Sequence, residues 1–207
     1  MQPAGSGVEV ECTMLGFRGH VMAMERVERQ LRRVTAALDD AEVPYAVCGG
    51  NAVATWVASQ NPEATRATKD VDLLVDRADL KRVQAVIEGL GYTREDLRSL
   101  VLFLDPEAPD RRTGVHLVWA DELIRPSYPV KSPRVEEADP GVAAYRVLGL
   151  PALLRMKLTS MRPIDQAHVL DLHSVGLVDN AIMDSLPRVL RERLDELLEQ
   201  HGDELWP

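Results

Sequence analysis

The chain has 207 residues, 45% of them hydrophobic but only 4% aromatic, and a formal net charge of −9. That is enough for one aliphatic core or a core with a small helical extension, and the acidic balance excludes broad, non-specific attraction to nucleic acid, which rests on clustered Lys and Arg. Cys12 and Cys48 make neither a disulfide framework nor a zinc site, no apolar run approaches the ~20 residues that cross a bilayer, and no signal-peptide pattern opens the chain, so no membrane and a cytoplasmic location are expected.

Residues 1–21 read as a poorly structured lead-in, because Gly5, Gly7, Gly16 and Gly19 break any period. Val27, Leu31, Val34 and Leu38 then recur at helical spacing, with Arg26, Arg29, Arg32 and Arg33 on the other faces. This predicts an amphipathic helix from about Met24 to Ala41 whose basic side is solvated. Pro44 leads into a strand over Tyr45–Cys48, the pair Gly49-Gly50 makes a turn, and Asn51–Ser59 forms the next helix, with Asn51 placed to cap it or to contact a phosphate. Gln60–Lys69 is a polar loop and Asp70–Val75 a second strand. Asp79 is a credible N-cap for a helix with the stripe Leu80, Val83, Ile87 and Leu90, closed by Gly91.

Val101–Leu104 and Val115–Trp119 predict a hairpin around the Pro, Asp and Arg cluster of residues 105–113. Pro126, Pro129, Pro133 and Pro140 rule out a regular helix in the next stretch, which ends in a short strand at Tyr145–Leu148. From Pro151 the chain is helical, with the stripe Leu154, Leu158 and Met161, a second start at Pro163 and a third helix around Leu190, Leu194, Leu197 and Leu198. The fold class expected is α/β (α+β): a mixed sheet flanked by helices, with helical C-terminal packing.

The chemistry concentrates in two places. Side chains alternate along a strand, so Asp70 and Asp72 share one face while Val71, Leu73 and Val75 take the other. Paired carboxylates raise the cost of ionising each other unless a cation lies between them, and hard oxygen ligands suit Mg²⁺ or Mn²⁺. Gly49 and Gly50 lack Cβ atoms, so backbone N–H groups at the following helix can come close to a phosphate. His168 and His173 flank Asp171, but their spacing puts them on different helical faces, and packing or surface roles are expected.

Gly49-Gly50, a short helix and then Arg66, Thr68, Asp70 and Asp72 at alternate positions resemble the nucleotidyltransferase superfamily of polymerase-beta-like fold. They are most similar to the bacterial nucleotidyltransferase-like proteins related to abortive-infection toxins. A second block, from Val147 through Lys157 to Arg162, Asp165 and Asp171, is similar to a helical segment of the same group. The resemblance covers roughly residues 22–180, leaving residues 181–207 as a C-terminal helical extension. It implies metal-dependent transfer of a nucleoside monophosphate from a nucleoside triphosphate to a hydroxyl on a small molecule, a protein or an RNA, with an antitoxin as a possible partner. It also implies nucleotide contacts from Gly49, Gly50, Asn51, Arg66 and Lys157. His116 stands where the family places a third carboxylate. A neutral imidazole there can serve as the general base; alternatively, the substitution marks a binding module with impaired catalysis.

Overall fold

Among the described residues of this computed structural model, 7–97 and 100–201, the chain begins with α1 (Gly7–Asp40), β1 (Ala46–Val47), α2 (Gly49–Gln60), β2 (Val71–Val75) and α3 (Leu80–Gly89). There follow β3 (Thr93–Leu97), β4 (Leu100–Leu104), β5 (Val115–Trp119), β6 (Ala138–Asp139) and β7 (Val147–Leu148). The last helices are α4 (Leu150–Ser160), α5 (Pro163–Ser174), α6 (Asn180–Ser185) and α7 (Arg188–His201). The seven strands form one mixed sheet in the order β3-β4-β5-β2-β1-β7-β6. β2 runs parallel to β5 and β1 parallel to β7, and the other neighbours are antiparallel.

The alternation expected in β2 sorts the two layers. Val71, Leu73 and Val75 join Tyr45, Val47, Val115 and Leu117 beneath the buried stripes of α1 and α3. Leu74, Ala46 and Cys48 face the opposite way, into an aliphatic core shared with α2, α4, α5 and α7. Trp56 ties α2 to the sheet by donating from Nε1 to the Leu148 carbonyl at 3.0 Å. Arg193 of α7 donates to the carbonyls of Leu158 and Thr159 at 2.8 and 2.9 Å, covering the end of α4.

Several boundaries differ from expectation. α1 starts at Gly7 rather than near Met24, so residues 7–21 of the expected lead-in are helical, and residues 1–6 lie outside the described residues. α2 starts at Gly49, so both glycines belong to its first turn; Cys48 is the N-cap and Asn51 does not cap. Asp79 stands at the N-cap of α3 but makes no cap bond, pairing instead with Arg82 at 2.9 Å. The hairpin of β4 and β5 forms with Leu102 opposite His116. β3, unread because Thr-Arg-Glu-Asp has no apolar alternation, is an edge strand. Among the described residues no helix is long and apolar enough to cross a membrane.

Candidate active site

Asp72 and His116 are register partners on the parallel strands β2 and β5, so their side chains leave the same face of the sheet side by side. Asp70, two residues before Asp72, joins them. His116 Nδ1 lies 3.3 Å from Asp70 Oδ2 and 3.6 Å from Asp72 Oδ1. Its Nε2 lies 2.7 Å from the Arg111 carbonyl, in the turn between β4 and β5. Burial alone would favour the neutral ring, but the neighbouring carboxylates of Asp70 and Asp72 push the His116 pKa up, to about 10. The pair of carboxylates thus favours positive charge at this position.

The first turn of α2 abuts this cluster. Gly49 has a φ of +65°, and a Cβ there would stand 1.8 Å from Asp72 Oδ2, so only glycine lets the carboxylate lie against the helix start. A Cβ on Gly50 would come within 2.7 Å of Thr68 Cγ2 and 3.8 Å of His168 Cε1. Asn51 donates to the Asp70 carbonyl at 2.6 Å and accepts from the Thr68 hydroxyl at 2.7 Å, stitching loop, strand and helix together. Arg66 donates to Asp171 on α5 at 2.6 Å, its side chain largely in solvent. Cys48, at the N-cap, is fully buried; burial first and the Asp72 charge second push its thiol well above the usual range.

A second charged cluster supports the site from α4 and α5. Lys157 is buried, its ammonium 3.2 Å from Asp165 Oδ1, rather than extended toward solvent as phosphate reach implied. Asp165 is fully buried and also accepts from Arg162 and Ser160, each at 2.6 Å. Burial opposes its ionisation, but Arg162, Lys157 and Ser160 together hold its pKa down to about 2. His168 is buried, its Nδ1 without a partner among the described residues, and burial first and Lys157 second lower its pKa to about 4. His168 and Thr68 are the residues at the α2 start that sequence reading missed as site neighbours. For Thr68 the signal was present: it shares the alternate spacing of Arg66, Asp70 and Asp72.

The donor set fits a divalent cation. One ligand atom from each of Asp70, Asp72 and His116 lies within 4.8 Å of the others. Two carboxylates supply hard oxygens, and the imidazole turns one nitrogen toward them while the other is engaged by a backbone carbonyl, a common arrangement for a metal-binding histidine.

Residues 17–153 match the family model described as uncharacterised nucleotidyltransferase. Among solved structures, an antigenic nucleotidyltransferase-like protein from Paracoccidioides brasiliensis is similar with a TM-score of 0.58 and 17% identity, over 87% of this chain and 91% of that one. ANT(2")-Ia in complex with adenylyl-2"-tobramycin is similar with a TM-score of 0.44 and 21% identity, over 87% of this chain and 91% of that one. No curated protein matches significantly. The family match spans well over half of the chain and takes in Gly49, Asp70, Asp72 and His116, and the chain belongs to the uncharacterised nucleotidyltransferase family.

Proposed function

We propose that the protein transfers a nucleoside monophosphate from a nucleoside triphosphate to an acceptor hydroxyl, with Mg²⁺ or Mn²⁺ held by Asp70 and Asp72. One observation carries this reading: Asp72 lies so close to Gly49 that a Cβ there would overlap its carboxylate, which supports a cation bound beside a helix N-terminus. Carboxylates recruit positive charge, while the helix start offers N–H donors and the positive end of its dipole to phosphate. A triphosphate carrying a divalent cation meets both demands. Such a cation, when bound, neutralises charge that builds on the leaving pyrophosphate.

The chain's own residues do the rest. Gly49 and Gly50 admit phosphate oxygens close to the backbone, and Asn51 and Thr68 hold the first turn of α2 on Asp70. Arg66 supplies charge at the loop, and Lys157 adds a buried positive charge behind the helix start. The acceptor oxygen bonds to the α-phosphorus as its proton passes to water, the bond from the α-phosphorus to the β-phosphate's bridging oxygen breaks, and pyrophosphate leaves. The acceptor is a small molecule, a protein or an RNA. In the RNA case the protein acts as a cytoplasmic toxin checked by an antitoxin, and expression of the wild type, but not of Asp72→Asn, arrests growth.

Calorimetric titration with the four triphosphates and Mg²⁺ tests the core of the proposal. Asp70→Asn and Asp72→Asn should abolish cation-dependent binding, and unchanged titrations in both variants would refute it. His116 in the family's third-carboxylate position supports a second reading, a nucleotide-binding module without transfer. That reading predicts binding with no pyrophosphate release.

A further inference from the structure

We infer that His116 is a direct ligand of the cation at this site, and that it biases the site toward transition ions that accept imidazole, over Mg²⁺. This deepens the proposed function, resting on it only in supposing that Asp70 and Asp72 hold a cation. The argument starts at the far side of the ring. The Arg111 carbonyl, 2.7 Å from Nε2, can only accept, so Nε2 carries a hydrogen and Nδ1 is the ring atom left to face the carboxylates.

In the neutral ring Nδ1 presents a lone pair to two carboxylate oxygens, an arrangement that needs positive charge between them. The separations discriminate between a proton and a metal ion. At 3.3 and 3.6 Å they exceed the roughly 2.7–2.9 Å of a charge-assisted N–H···O bond. Ligand atoms at about 2.1 Å from a shared ion sit about 3 Å apart at right angles and farther at wider angles, which accommodates both distances. The ring's support extends outward: Arg111, whose carbonyl holds Nε2, is fastened by its side chain to Glu95 on β3 at 2.6 Å. Edge strand, turn and imidazole thus form one chain of contacts ending at the carboxylates.

Imidazole is a poor ligand for Mg²⁺, which favours oxygen, and a good one for later first-row ions. The assignment moves His116 from general base to ligand. It also explains why neither ring nitrogen is open toward an acceptor hydroxyl.

The test uses Mn²⁺ as a paramagnetic probe on the full chain, without nucleotide. Pulsed electron paramagnetic resonance should show nitrogen hyperfine coupling on bound Mn²⁺ that changes on ¹⁵N-histidine labelling and disappears in His116→Ala and His116→Asp. Calorimetry should give Ni²⁺ at least about tenfold tighter binding than Mg²⁺ in the wild type, with His116→Asp narrowing that ratio by strengthening Mg²⁺. Bound Mn²⁺ without nitrogen coupling, or equal affinities for the two ions, overturns the assignment and leaves nucleotidyl transfer standing. No binding of either ion, with or without a triphosphate, overturns both. The wild-type spectrum decides the matter even where a variant fails to fold, which circular dichroism will reveal.

Discussion

Gly49→Ala probes the contact on which the site depends. The substitution meets two penalties. A non-glycine residue at a φ of +65° carries a left-handed cost of about 1–2 kcal/mol. The new Cβ would also stand 1.8, 2.6 and 2.8 Å from Oδ2, Cγ and Cβ of Asp72, so rotating the carboxylate alone does not clear it. The strand itself has to move, yet the Asp72 carbonyl accepts from the Cys48 amide at 2.9 Å and Asp72 is paired in register with His116. Overpacking of this kind costs about 1–3 kcal/mol, giving a total of about 2–5 kcal/mol. For a chain of this size that lowers the melting temperature by roughly 5–15 °C. Gly50→Ala is the control. Its Cβ would meet Thr68, a loop residue, at 2.7 Å from Cγ2 and 3.4 Å from Cβ, and His168 Cε1 at 3.8 Å, while alanine gains up to about 1 kcal/mol of helix propensity. Urea unfolding of both variants, with an Mn²⁺ titration of each, is the assay. If Gly49→Ala unfolds at the wild-type midpoint and binds Mn²⁺ normally, or if Gly50→Ala is the more damaging change, the reasoning fails.

Two further substitutions test the supporting cluster. Asp165→Asn strands the buried Lys157 ammonium and should cost about 3–5 kcal/mol, whereas Arg162→Ala, removing a half-exposed partner, should cost well under half of that in denaturant midpoints. His168 gives a pH dependence. Its folded pKa of about 4 lies below the ordinary 6.5, so the unfolded chain binds the extra proton between those values. Stability should therefore be full above pH 6.5 and fall as the pH drops toward 4, by up to about 3 kcal/mol. His168→Asn should flatten that segment of the stability profile; an unaltered slope would place the titrating group elsewhere.

The alternation of Asp70, Val71, Asp72 and Leu73 was legible because a strand buried on one face and charged at one end leaves only one sorting of its side chains. The helical stripes of α1, α3 and α7 were legible for the same reason at a different period. What a single sequence withholds is register. His116 stands beside Asp72 because β2 and β5 pair in parallel, and nothing local to either strand encodes that pairing. Lys157 was expected to extend to a ligand; its burial follows from Pro163 starting a new helix that brings Asp165 back onto α4, a consequence of a turn rather than of any motif. β3 was hidden because an edge strand leaves its charged side chains in solvent, where Arg94 pairs with Asp96 and Glu95 with Arg111.

These placements explain how one fold serves two opposed electrostatic demands. A helix start attracts anions and a carboxylate pair attracts cations, and here the two lie together: Asp72 leans on Gly49, and Nδ1 of His116 faces both carboxylates. On the proposed function, a lone phosphate entering at α2 meets the Asp72 charge, and a cation held by Asp70, Asp72 and His116 removes that opposition. Cation binding therefore favours phosphate binding rather than competing with it. The bare backbone of Gly49, by allowing the contact, would couple phosphate binding at α2 to the cation beside it.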